Sequence, residues 1–205
     1  MPTPEELYQR GLSLGSEGKR KEAYRCHLKA AERGHAKAQN MVGRFLDEGW
    51  AGQKDPIAAV AWYRKAAEQG DAQAQCNLAV CLHDGSGIPK DDFEASRWFV
   101  RSAEQGYAYA QNMVGRYLEE GWIGEKNPTA AIYWYRKAAE QGHVRAQGNL
   151  ANCLHEGRGV PKDPEEAFLW YTKAADQGDA LAQNMVGRYL DEGWAGQRDP
   201  SAAAA

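Results

Sequence analysis

Apolar residues recur at helical spacing along most of the chain, and one stretch, 139–174, shows the pattern clearly. Ala146, Leu150 and Leu154 stand four apart with Ala151 and Cys153 beside them, as one apolar helix face requires. Gly157, Gly159 and Pro161 interrupt that face. Asp163 then stands as an N-cap, Pro164 suits the first helical position, and Glu166 sits at the third, which would complete a capping box. A second face follows at Ala167, Trp170, Tyr171 and Ala174. Gly178 ends it, free to take the left-handed conformation that reverses the chain. The stretch predicts two antiparallel helices joined by a short loop.

The same pattern returns every 36 residues without insertion or deletion: 31–66, 67–102, 103–138, 139–174 and an incomplete 175–205. A period of this length predicts an all-α, α/α solenoid spanning 1–205, each hairpin covering its apolar stripe with the next. Thr3-Pro4-Glu5-Glu6 is a capping signal, and 3–30 reads as a degenerate first unit whose loop is bounded by Gly15 and Gly18. Recurring alanines such as Ala38, Ala59 and Ala66 permit close helix approach. Trp62, Trp98, Trp134 and Trp170, each followed by Tyr or Phe, are expected inside the core. Asp199-Pro200 opens a further helix that the chain leaves without its Trp and Tyr.

The recurring residues are Ala-Glu-Gln-Gly-x-Ala-x-Ala-Gln, a Val/Leu-Gly-x-Tyr stretch, Gly-x-Gly-Val/Ile, an Asp, and Ala-x-x-Trp-Tyr-x-Lys-Ala. Taken together they resemble the Sel1-like repeat, a relative of the tetratricopeptide repeats, from Leu7 to Pro200. Gly49-Trp50-Ala51-Gly52 and its equivalents depart from the Gly-x-Gly pattern that Gly85-Ser86-Gly87-Ile88 and Gly157-Arg158-Gly159-Val160 keep. The resemblance implies a right-handed superhelix that scaffolds protein–protein contacts and carries no fixed catalytic residues.

A second period lies inside the first. Segments 31–66 and 103–138 agree at 25 of 36 positions, but 31–66 and 67–102 at only 12. Duplication of a two-unit block accounts for this by history, yet it still shapes the surface. In the first unit type Asn40, Arg44 and Glu48 form a polar stripe with Met41 beside it. Asn112, Met113, Arg116 and Glu120 repeat it, as do Asn184, Met185, Arg188 and Glu192. First helices line the concave side of related solenoids, so the resemblance suggests that these Asn, Met and Arg side chains face a groove. Arg suits carboxylates, Asn suits backbone amides, and Met adapts to irregular apolar shapes. An intrahelical Arg44–Glu48 pair is the competing use. Trp50, Trp122 and Trp194 stand in the interhelix loop of the same units, either as contacts for a partner or as plugs of the hairpin end.

Composition narrows the remaining choices. A net charge of −3 with 25 basic and 28 acidic residues scattered gives no basic face for nucleic acid. No run approaches the roughly 18 apolar residues of a membrane span. Met1-Pro2-Thr3-Pro4-Glu5-Glu6 shows neither a basic n-region nor an apolar run. The four cysteines, Cys26, Cys76, Cys81 and Cys153, do not recur as one pair per unit. A cytoplasmic protein with free thiols is the expectation, and removal of a signal would leave secretion or the periplasm open. No phosphate loop or His-Glu-x-x-His is present, and Cys81/His83 and Cys153/His155 diverge on their helices. No catalytic residue, metal or cofactor is expected. The reading is a non-enzymatic scaffold for a protein or peptide segment. A structural spacer within a larger protein, or a carbohydrate-binding or cell-wall-fragment-binding module, are the alternatives.

Overall fold

A computed structural model describes residues 1–50 and 52–194, and among them every regular element is an α-helix. One compact unit runs from Met1 to Gln105 and a second begins at Gly106. The first holds α1 (Pro4–Ser16), α2 (Arg20–Glu32), α3 (Ala36–Glu48), α4 (Pro56–Glu68), α5 (Ala72–Asp84) and α6 (Asp92–Glu104). The second holds α7 (Ala108–Glu120), α8 (Pro128–Glu140), α9 (Val144–Glu156), α10 (Pro164–Asp176) and α11 (Ala180–Glu192). Within each unit every helix packs on the next in sequence, and first helices also touch, as α3 and α5 do. The helix expected after Asp199 lies outside the described residues.

Local chemistry sets the ends. Asp55, Asp91, Asn127 and Asp163 each cap a second helix by accepting a backbone N–H, and Pro56, Pro128 and Pro164 open three of those helices. From α3 onward the first helices end on Gly49, Gly85, Gly121, Gly157 and Gly193, all left-handed, whereas α1 ends on Glu17. Two local expectations are corrected. Gly15 lies inside α1, and the loop that follows is residues 17–19, against 49–55 in the next hairpin. The capping box at Asp163 is half made: Asp163 accepts from Glu166 N, but the Glu166 carboxylate turns to Arg136 and to Trp170 Nε1. A charge-assisted bond to a guanidinium outweighs a bond to one backbone N–H.

The core also differs from expectation. Trp98 and Trp170 are buried, at 8% and 7% exposure, but Trp62 and Trp134 are only half-buried. Tyr63, Phe99, Tyr135 and Tyr171, one residue later, are the closed side chains. Two causes are visible. Tyr63 and Tyr135 lie on Gly43 and Gly115, where a Cβ would stand 2.6 Å from the ring, so the glycine makes room for the aromatic. Trp98 and Trp170 are held inward by Nε1 bonds of 3.1 Å to Glu94 and Glu166, which Arg64 and Arg136 anchor in turn. Alanines occupy the matching positions 58 and 130, so Trp62 and Trp134 have no such anchor.

A glutamine ladder joins successive hairpins inside each unit. Gln147 Nε2 donates to the Ala139 carbonyl at the end of α8, and its Oε1 accepts from Gln177 Nε2 at the end of α10. Gln75 does the same with Ala67 and Gln105, and Gln39 with Ala31 and Gln69. Each buried glutamine therefore satisfies an orphan helix-end carbonyl. Gln147→Ala is expected to cost about 1–3 kcal/mol, because the buried Ala139 carbonyl loses its donor, whereas the exposed Gln177 keeps the Lys173 carbonyl and solvent. Urea denaturation should show this, with a smaller loss for Gln183→Ala, whose bond to Ala175 O is exposed.

Candidate functional site

The stripe expected on α3, α7 and α11 separates into two kinds of residue. Asn40 and Asn112 are 2% exposed and occupied in hydrogen bonds between helices, so they act first as ties, although Asn112 borders the groove described below. Asn40 Nδ2 donates to Gln73 Oε1 at 3.0 Å, and its Oδ1 accepts from Asn77 at 2.8 Å. Asn112 likewise accepts from Asn149 at 2.9 Å. These amides stitch one first helix to the next, a role hidden in the sequence because each partner is 33 to 37 residues away. Asn184, on the last described helix, is exposed.

Arg44, Arg116 and Arg188 are drawn to the loop tryptophans. Their guanidiniums lie 5.3, 5.0 and 5.2 Å from the ring centroids of Trp50, Trp122 and Trp194. Each indole meets an aromatic side chain of its own first helix edge-on: Phe45, Tyr117 and Tyr189, at 5.5, 4.9 and 5.2 Å. The sulfurs of Met41, Met113 and Met185 approach the same arginines at 3.8 to 3.9 Å. Met, Arg and Trp thus form one cluster that closes the hairpin end and leaves a cationic edge at the surface. Arg44 and Arg116 are half-buried, Arg188 is exposed, and Met113 is buried. Each cation–aromatic contact is worth about 0.5–1 kcal/mol at such sites.

In the second unit the first-helix face opens into a groove of about 550 Å³ across α7, α9 and α11. Met113, Arg116 and Met185 reach it, together with Tyr109, Arg145 and Gly148, none of which the stripe pattern reveals. Asn152, also in its wall, accepts the Tyr171 hydroxyl at 2.6 Å. A comparison of alternate units exposes these residues. Between α5 and α9 the differing positions are 72/144, 73/145, 76/148, 80/152 and 84/156, all on one helix face, whereas the remaining positions are identical. Cys76 and Val80 stand where the second unit has Gly148 and Asn152, so its floor is deeper and more polar. A Cβ on Gly148 would meet nothing within 4 Å.

Burial pushes the thiols of Cys76, Cys81 and Cys153 up to about 12, so they stay protonated at neutral pH and are poor nucleophiles or ligands. His83 and His155 are held by Asp92 (2.6 Å) and the Tyr189 hydroxyl (2.7 Å). Among the described residues no three His, Cys, Asp or Glu side chains are arranged to hold a metal ion, and no helix is long and apolar enough to cross a membrane. Glu119 accepts from the Tyr135 hydroxyl and from Arg158, which ties the first-helix face of α7 to the loop after α9.

Stacked helix hairpins of one length, joined by amide ladders and offering a groove on their first helices, define an α/α repeat protein of the solenoid class. The Sel1 repeat matches six times, at residues 6–35, 36–71, 72–107, 108–143, 144–179 and 180–205, and the chain belongs to the Sel1 repeat family. A protective antigen present in uropathogenic Escherichia coli strains, displaying an SLR fold, superposes over 98% of this chain with a TM-score of 0.90 and 31% identity. This chain spans 44% of that protein's length. A Sel1 repeat protein from Oxalobacter formigenes is 33% identical, with a TM-score of 0.87 over 98% of this chain and 82% of its own. An immunity protein from Pseudomonas aeruginosa, 21% identical over all of this chain and 74% of its own, with a TM-score of 0.57, shares the fold. No curated protein sequence matches the chain. Proteins of this family are generally non-catalytic scaffolds for protein interaction.

Proposed function

We propose that the chain is a non-enzymatic scaffold that holds a segment of a partner protein against its first-helix face, chiefly in the groove of α7, α9 and α11. The observation that carries this is the one-sided difference between α5 and α9. Apart from the buried Cys76, the differing positions are half-buried or exposed, and the variable residues Arg145, Gly148 and Asn152 line the groove. A lining of Tyr109, Met113, Arg116 and Arg145, with Asp179 as the one carboxylate among the described lining residues, suits a segment that alternates apolar and acidic side chains. Arg44, Arg116 and Arg188 keep a place in this reading, but as groups shared between the Trp clusters and a ligand. The loop tryptophans Trp50, Trp122 and Trp194 act first as plugs.

The test installs in the second unit the residues that the first already tolerates: Arg145→Gln, Gly148→Cys, Asn152→Val and Tyr171→Phe together. Packing should survive, since all four occur at equivalent positions 73, 76, 80 and 99. Affinity capture with intact and altered chains should then differ, with at least tenfold less of the captured partner on the altered chain and an unfolding free energy within about 1 kcal/mol. Equal capture by both chains would sink the assignment of the groove.

A further inference from the structure

The first unit contains a second cavity whose origin is a single missing side chain. The twelfth residue of α5 is His83 and that of α9 is His155, while the twelfth residue of α1 is Gly15. In the second unit His155 fills the space between the end of its helix and the next loop tryptophan. Its Nδ1 meets the Tyr189 hydroxyl at 2.7 Å, and its ring centroid lies 5.2 Å from Trp194. In the first unit both halves of that arrangement are gone. A Cβ on Gly15 would find nothing within 4 Å, and Phe45 replaces the tyrosine that would bond an imidazole. What is left beside Trp50 is a cavity of about 320 Å³, open to solvent past Leu12.

The surroundings of this cavity state what it would accept. Arg44 reaches Trp50 from α3 as in the other clusters, but here Arg20 joins it, 5.8 Å from the same ring centroid. Arg20 opens α2, where the other second helices begin with Pro56, Asp92, Pro128 and Pro164, and the shortened loop 17–19 precedes it. Two guanidiniums therefore converge on one indole, and no carboxylate is among the described residues that line the cavity. His27 forms the inner wall, 1% exposed, with no protein partner for its Nδ1. The wall is aromatic, with Phe45 and Trp50 set edge to face, and the rim is cationic.

We propose that this cavity is a binding site for an aromatic carboxylate. The ring would occupy the place that the imidazole of His155 takes in the second unit, against Phe45 and Trp50. The carboxylate would meet Arg20 and Arg44, whose forked donors match its two oxygens. This site is independent of the groove on α7, α9 and α11, and either can fail without the other. A ring and a carboxylate within one residue's reach occur in free aromatic acids and at the C-terminus of a polypeptide ending in an aromatic residue.

Calorimetric titration of the full chain with N-acetyl-phenylalanine should show saturable binding. N-acetyl-phenylalanine amide and N-acetyl-alanine should each bind at least tenfold more weakly. Gly15→His should abolish binding, because it places there the imidazole that α5 and α9 carry at this position, and circular dichroism should show the helices intact. Arg20→Gln, at an exposed position, should weaken binding about tenfold, in line with loss of one charge-assisted bond, and remains a valid test if Gly15→His folds poorly. A heptapeptide ending in phenylalanine with a free carboxylate identifies the source: tighter binding than N-acetyl-phenylalanine assigns the site to chain ends, equal binding to free aromatic acids. No saturable binding of N-acetyl-phenylalanine or the heptapeptide, equal binding of the amide, or undiminished binding by both variants would overturn the proposal.

Discussion

Tyr135→Ala is expected to cost about 3–5 kcal/mol, well above the cost of Trp134→Ala, although tryptophan is the larger residue. The Tyr135 ring has no exposed surface, lies directly on Gly115, and ends in a hydroxyl 2.6 Å from Glu119. Burial holds that hydroxyl well above the usual phenol range, so it is a firm donor at every pH of interest. Alanine would leave a cavity over Gly115, which has no side chain to fill it. It would also leave Glu119 with one donor fewer in a half-buried position. Trp134, only half-buried and under the Lys137 ammonium at 5.5 Å, has solvent to collapse into. Urea denaturation of the two variants decides the matter. A larger loss for Trp134→Ala would restore tryptophan as the core residue of this unit. Tyr135→Phe separates the terms, because it keeps the ring and removes only the bond to Glu119.

That comparison also marks the limit of what periodicity can say. Trp134 and Tyr135 are neighbours about 100° apart on one helix, both large and both apolar enough to satisfy the pattern. Choosing between them needs the small residue opposite, and Gly115 lies 20 positions earlier on another helix. The helix pairs, the cap at Asp163 and the glycines after each helix were legible because they depend on neighbours in sequence. Their repetition removed the ambiguity that one copy would leave. The candidate site was legible only in part. Asn40 and Asn112 look like surface residues because they share a stripe with Arg and Glu, yet their partners sit in the next hairpin. Arg44 and Trp50 were separate candidates, one on a helix and one in a loop, and the chain reversal at Gly49 brings them together. Arg145, Gly148 and Asn152 were present all along in the differences between alternate units. A site defined by what varies is invisible to a search for what repeats.

Acidification from about pH 6.5 to 4 is expected to remove about 3 kcal/mol of stability through His27 alone. Desolvation by burial among α1, α2 and α3 lowers His27 from its ordinary 6.5 to about 4, and the nearby His35, itself 2.8 Å from Glu5, acts in the same direction. Tyr8 and Phe45 face the ring, and no acidic group bonds it. The sign follows from proton uptake: between those two pH values the unfolded chain binds a proton that the native chain refuses, so stability falls with pH. Above 6.5 both states are neutral and the effect is absent, and below 4 it is complete. The lowered His143 contributes in the same window and carboxylates such as Glu94 and Glu166 below it, so the bare acid profile does not isolate His27. His27→Phe does, because phenylalanine already occupies the equivalent position as Phe99, and residues in separate units should act additively. Subtracting the two unfolding profiles should give a difference that is flat above pH 6.5 and grows by about 3 kcal/mol towards pH 4. The variant should also be more stable at pH 7 by about 1–2 kcal/mol, since it removes the buried Nδ1 that has no partner. A difference that stays flat across the window would mean that His27 takes up its proton in the folded chain as readily as in the unfolded one.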